Sequence, residues 1–237
     1  MPTIVAYDGM YQLPKNVMDL DAGKRFDFIF DHGVWARSAG NESMSGSGST
    51  IRNTELYRSQ LNNYLDLHSD SQLTFFDAPC GDLNWILRDL QPHIQYVGGD
   101  ISGSLVSKLK KDYPSLNIFK FDITEDEFPV ADIWHCRHCL FHLSISDIHK
   151  ALKNFVISDI EKALITNHFL PDVVTLDIPT GSFRFLDLTN FPFYFPEPEV
   201  WLLDEHPASG KTAMATGVWT KDQVGEVVTR FESLMVQ

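Results

Sequence analysis

Cysteine is scarce: Cys80, Cys136 and Cys139 are the only three in 237 residues. An odd, low count suits reduced thiols better than a secreted disulfide framework. Long apolar runs are missing, and no stretch approaches the roughly 20 residues that a helix needs to span a bilayer. The opening MPTIVAYDGMYQLPKN lacks the basic segment and apolar run of a secretory leader. A cytoplasmic location and no membrane partner are therefore expected. Basic charge is also short, with 19 Lys and Arg against 32 Asp and Glu and a formal net charge of -13. Beyond Lys108, Lys110 and Lys111, nothing offsets the repulsion a phosphate backbone would meet, so nucleic acid is an unfavourable substrate and a small polar acceptor is expected instead.

What is present is ordinary globular composition, 43% apolar and 22% charged, enough for one α/β domain with a substantial core. Residues 1–66 read as a small N-terminal helical cap that carries a low-complexity SMSGSGST loop at 43–50. Within that cap, NTELYRSQLNNYLDLH has helical spacing, with Asn53 or Thr54 as its N-cap. Residues 67–237 read as the main domain, in which short strands alternate with helices. LTFFDAP, YVGGDI, NIFKFDI, ADIWHC and KALITNHF are five parallel strands; NWILRDL, the stretch from Ser102 or Ser104 to Tyr113, and ISDIHKALKNFVI are helices between them. Residues 171–200, dense in Pro and Phe, form a long lid loop before VWLLDEH and ATGVWT, an antiparallel pair closing the C-terminal edge, and a last helix, DQVGEVVTRFESLM. The expected fold is a Rossmann-like, doubly wound, seven-stranded and mostly parallel sheet.

Three acids end consecutive strands. Asp77 precedes a small-residue turn containing Gly81, where a ligand lies outside the carboxyl ends of the strands and a side chain would fill the ligand's space. Asp100 follows about 20 residues on, where a carboxylate accepts from ribose hydroxyls. Asp122 ends the third strand, where it or the Ile123 backbone reads an adenine edge. A nicotinamide or flavin enzyme would instead need a GxGxxG loop for its pyrophosphate, and none follows the first strand.

The acidic strand end, glycine loop, second acid and third Asp resemble the class I S-adenosylmethionine-dependent methyltransferases. More narrowly, SGSGST, DAPCGDLNW, YVGGDIS, WHCRHCLFHLS and DLTNFPFYFPEP look like a bacterial group of these enzymes in which all five recur in order. The resemblance implies S-adenosylmethionine as cofactor, with its methionine portion at Asp77, Ala78, Cys80 and Gly81. It places the ribose at Asp100 and Ile101, and the adenine at Asp122 and Ile123, with Cys136 and Arg137 beside them. Ser45, Ser47, Ser49, Thr50 and Tyr57 would close the pocket from the N-terminal side. The usual loop has two or three glycines, and this one has Pro79, Cys80 and Gly81.

Methyl transfer needs alignment, dehydration and, for a hydroxyl or protonated amine, a base. The family places such groups after the fourth strand, where His135, Arg137, His138 and His142 stand, and His142 is the preferred base. His138 occupies a position where relatives more often carry Asp. Cys136, Cys139 and the histidines interleave too closely to wrap a tetrahedral ion, so no metal is expected. Asn167 and His168 end the fifth strand, where they either orient an acceptor or cap the loop. Arg184 either pairs with an acidic acceptor or is solvated. Phe191, Phe193, Tyr194 and Phe195 read as a packed lid. The acceptor is expected to be small, polar, saccharide-like or peptide-like. The rivals are a silent methyltransferase-fold scaffold and an NAD(P)-dependent oxidoreductase.

Overall fold

A computed structural model describes residues 13–67, 72–169, 175–204 and 213–235. The first twelve residues, the opening of the Pro/Phe-rich segment and the end of VWLLDEH lie outside the described residues. Seven strands, β1 (Leu73–Asp77), β2 (Ile94–Asp100), β3 (Asn117–Lys120), β4 (Ile133–Cys136), β5 (Lys162–His168), β6 (Val200–Leu203) and β7 (Met214–Thr220), form one sheet in the order β3-β2-β1-β4-β5-β7-β6. Six strands run one way; β7 alone opposes them, antiparallel to both β5 and β6. The chain builds outward from β1 to β3, then returns to lay β4 on the other side of β1. That reversal opens a crevice at the carboxyl ends of β1 and β4, where doubly wound sheets bind ligands.

Side chains that alternate along a strand go to opposite faces, and the central strands are apolar on both. Phe76, Trp134 and Ile165 pack on the face covered by α5 (Ile145–Ile157) and α6 (Lys221–Met235). Phe75, Ile133 and Leu164 pack on the other, under α3 (Glu55–Asp66) and α4 (Gly103–Asp112). Phe75, Phe76, Trp134 and Trp219 are wholly buried, each such ring stabilising the fold by roughly 1.5–3 kcal/mol. Before β1 the chain also forms α1 (Lys15–Met18) and α2 (Ala22–Asp31), whose Phe26 and Ile29 join the core with Phe76 and Trp134. Asp27 of α2 accepts from the Ser102 hydroxyl (2.7 Å) and the Ser104 N–H (3.0 Å), which fixes α2 at the N-terminus of α4.

One expected helix does not form. NWILRDL makes only a single 3-10 turn at Ile86–Arg88. Leu83 takes a left-handed backbone (φ 58°) that a helix does not admit. Leu83, Trp85 and Ile86 are all buried in the core that α3 already shares, so no second helix is needed there. No helix among the described residues is long and apolar enough to cross a membrane.

Candidate functional site

The turn that follows β1 is held from both sides. Asp77 is 3% exposed, and its carboxylate meets the His135 Nδ1 at 2.6 Å and accepts from the Tyr96 hydroxyl at 2.7 Å. His135 Nε2 in turn meets the Tyr57 hydroxyl at 2.9 Å, so a buried chain of four polar side chains fixes the acid at the strand end. Asp100 accepts from the Gly81 N–H (3.1 Å) on one oxygen and from the Ser102 N–H (2.9 Å) on the other. Burial pushes its carboxyl up to about 6 against the pull of those two N–H groups.

Asp77, Gly81 and Asp100 converge on one cavity of about 800 Å³ at the crevice between β1 and β4. Cys80, Ile101, Asp122 and Ile123 line the same cavity. Asp122 receives the Thr124 N–H and hydroxyl on one oxygen, at 2.8 and 2.7 Å, which closes the turn beyond β3.

The SGSGST segment lies over the glycine turn, clasped by an acid that the sequence reading did not single out. Asp82 accepts from the Ser43 hydroxyl (2.9 Å), the Met44 N–H (2.5 Å) and the Ser45 hydroxyl (3.2 Å), while its own N–H donates to Ser45 Oγ (3.0 Å). This corrects the reading of Gly81. A Cβ there would stand 2.5 Å from Ser45 Oγ, and its φ is 58°; the room a side chain would take belongs to the clasped segment, and the conformation favours glycine. Ser45, Ser47 and Ser49 line the cavity, while Thr50 does not: its hydroxyl bonds the Ser47 carbonyl at 3.1 Å.

Arg137 and His138 meet a second missed acid, Asp204. Arg137 grips it through two hydrogen bonds, Nε at 2.9 Å and a terminal nitrogen at 2.5 Å, and also donates to the Gly48 carbonyl. The guanidinium lies 5.0 and 4.9 Å from the rings of Tyr57 and Trp85. His138 Nε2 meets the same carboxylate at 3.0 Å. Burial alone would raise the Asp204 carboxyl, but Arg137 and His138 hold it far below the usual carboxylate range. The His138 ring also sits against Gly48, where a Cβ would approach to 2.6 Å. Both residues line the cavity and serve as its fastenings.

Three further positions from the family resemblance are not on the cavity. Ala78 turns its backbone into the sheet, its N–H to the His135 carbonyl and its carbonyl to the Trp134 indole. Cys136 is wholly buried in β4. Tyr57 stands behind His135. The side chains at these positions point into packing that the fold requires, which motif spacing does not report.

At the other wall of the cavity, rings replace acids. His142 stacks on Trp35 (4.8 Å between centroids, 28°) and meets Phe141 at 4.6 Å. Phe141, Phe183 and Phe185 form a run, with His168 5.1 Å from Phe141 and 5.2 Å from Phe185. His142 Nδ1 donates to the Ser182 carbonyl (2.7 Å), so the ring lone pair is on Nε2. Burial lowers His142 to about 3 and His168 to about 4, so both rings are neutral near pH 7. Asn167 is a loop cap: its amide accepts the Leu188 N–H at 2.6 Å and donates to the His168 carbonyl at 3.1 Å.

The Pro/Phe-rich segment contributes differently from expectation. Phe193 and Phe195 are buried against Phe231 and Trp219, away from the cavity, and Phe191 and Tyr194 are exposed. Phe183 and Phe185, earlier in the segment, supply the ring wall. Arg184 between them is buried, not solvated, and donates to the Leu143 carbonyl at 2.6 Å. Among the described residues no three His, Cys, Asp or Glu side chains gather as a metal site.

No protein-family profile matches this chain, and no curated protein matches it in sequence. Solved structures do. The 1,6-didemethyltoxoflavin-N1-methyltransferase of Burkholderia thailandensis, solved with 1,6-didemethyltoxoflavin and S-adenosylhomocysteine, superposes with a TM-score of 0.55 at 12% identity, over 92% of this chain and 93% of that one. The magnesium protoporphyrin IX methyltransferase of Synechocystis PCC 6803, solved with bound S-adenosylhomocysteine, superposes with a TM-score of 0.54 at 11% identity, over 81% and 97%. With the acids, the glycine turn and the crevice in place, the fold of this chain is that of the Rossmann-like methyltransferases.

Proposed function

We propose that the chain is an S-adenosylmethionine-dependent methyltransferase that acts on an oxygen or nitrogen of a small acceptor. The observation that carries this reading is the convergence of Asp77, Asp100 and the Gly81 turn on a single cavity large enough for a nucleoside and a second molecule. The donor set fits a cationic nucleoside. Each Asp100 oxygen accepts one backbone N–H, and a carboxylate has about four lone-pair sites, which leaves acceptor capacity for two ribose hydroxyls. Asp77 brings negative charge to the place where the ammonium and sulfonium groups belong.

The same set disfavours a dinucleotide. A pyrophosphate needs donated N–H groups at a helix N-terminus, whereas β1 leads into a loop whose Gly81 N–H is spent on Asp100 and whose next residue is Asp82, and then only into a 3-10 turn at Ile86–Arg88.

When bound, S-adenosylmethionine supplies a methyl group on a positively charged sulfur, and transfer to a hydroxyl or amine releases S-adenosylhomocysteine and a proton. The chain's own part is to bind, align and exclude water. The clasped 43–50 segment covers the turn, Phe141 and Phe183 exclude water from the opposite wall, and the neutral His142 ring helps to orient the incoming group.

S-adenosylhomocysteine at a hundredfold excess over its dissociation constant should raise folding stability by about 2.7 kcal/mol, and Asp100→Ala should remove most of that gain. Calorimetry and thermal unfolding measure both. No shift in the native protein, or a shift with NAD and none with S-adenosylhomocysteine, overturns the assignment.

A further inference from the structure

The two walls of the cavity differ in chemistry. One carries Asp77, Asp82, Asp100 and Asp122; the other carries Trp35, Phe141, Phe183 and Phe185 with the imidazoles of His142 and His168 between them. Ring centroids across this second wall are 4.6–5.8 Å apart, a continuous stack and edge array.

Two of its charged neighbours are already engaged. Arg137 is gripped by Asp204. Lys150, at the rim, is paired with Asp147 and Glu125. Both imidazoles are uncharged in the working pH range because burial penalises their cations. The wall itself therefore presents ring faces and neutral nitrogen, and behind it Arg184, between Phe183 and Phe185, keeps Nε and one terminal nitrogen buried without a hydrogen-bond partner. A sugar is held by many directed bonds to carboxylates and amides; the Asn167 amide is used up on Leu188, His168 and Asp187, and the Asp147 carboxylate on Thr180 and Lys150.

We infer that the ring-lined wall is the acceptor site and that it takes a planar aromatic or heteroaromatic molecule bearing a hydroxyl or N–H. Such a molecule packs against the rings of Phe183, Phe185 and Trp35 and gains the offset and edge contacts that aromatic pairs prefer, about 0.5–1.5 kcal/mol for each pair beyond area burial. Its hydroxyl or N–H meets the neutral His142. The inference rests on the methyltransferase reading and narrows the acceptor beyond it.

The test is calorimetric and needs no turnover. Protein saturated with S-adenosylhomocysteine is titrated separately with naphthol, with N-acetylglucosamine and with triglycine. Naphthol should bind saturably. The sugar and the peptide should give no binding heat. Phe183→Leu, which keeps an apolar side chain, should weaken naphthol about tenfold and leave the S-adenosylhomocysteine affinity unchanged. Binding of the sugar or peptide as tight as that of naphthol, or no binding by naphthol, overturns the acceptor class. If S-adenosylhomocysteine itself fails to bind, it is the methyltransferase reading that falls.

Discussion

His142 and His168 carry the clearest solution signature of the site. Their folded-state values, about 3 and about 4, lie below the ordinary 6.5 of histidine because burial disfavours the cation. Below pH 6.5 the unfolded chain takes up protons at these positions and the folded chain does not, so stability falls with acidification, by up to about 1.36 kcal/mol per pH unit for each ring. Asp100 acts in the opposite sense. Its raised carboxyl holds a proton between about pH 4 and 6 that the unfolded chain has released, so its contribution declines as pH rises through that window. Urea unfolding across this range should show a net loss toward acid, and His142→Gln should flatten the slope; an unchanged slope would mean that the ring is charged in the folded protein. Asp77, Gly81 and Asp100 were legible because strand ends and spacing mark them. Asp82 and Asp204 were not, because their partners lie 37 to 67 residues away and no local pattern records a tertiary approach.

Strands and helices with a single strong period were readable from composition: all seven strands and α4, α5 and α6 stand where apolar runs and capping residues placed them. Ser102 and Ser144 cap α4 and α5 through their hydroxyls. The segment after β1 broke the pattern because its apolar residues serve a turn rather than a helical stripe, and α2 was hidden by mixed apolar spacing. The SGSGST segment, which alone has the composition of a linker, is instead ordered by Asp82 and Arg137. Two substitutions probe that fastening. Asp82→Ala leaves the Ser43 hydroxyl and the Met44 N–H without their acceptor, at a cost of about 1–3 kcal/mol. Gly81→Ala adds a Cβ against Ser45 in a left-handed backbone, at about 1–2 kcal/mol before the clash is counted. Denaturant midpoints should fall in both, and limited proteolysis should cut within 43–50 faster than in the native protein; unchanged cleavage would remove the clasp from the account.

Across the whole molecule, the net charge of -13 sets a field that attracts a cationic nucleoside and is indifferent to a neutral one. S-adenosylmethionine carries one net positive charge at neutral pH, and S-adenosylhomocysteine carries none. Stopped-flow association of the first should slow markedly between about 0.01 and 1 M ionic strength, where the screening length shrinks from about 30 to 3 Å, with little change for the second. Equal salt dependence would place the attraction outside the protein's field.

The hollow itself has no single owner along the chain. Its floor comes from β1 and β2, one cover from residues 43–50, the ring wall from Trp35 together with Phe141, His142, His168, Phe183 and Phe185, and the anchor for Arg137 from Asp204. A nascent polypeptide halted after β5 would possess Asp77 and Asp100 and lack Phe183, Phe185 and Asp204. Ligand capture would thus serve as a readout of finished synthesis, arriving only after the last strands have been delivered to the sheet.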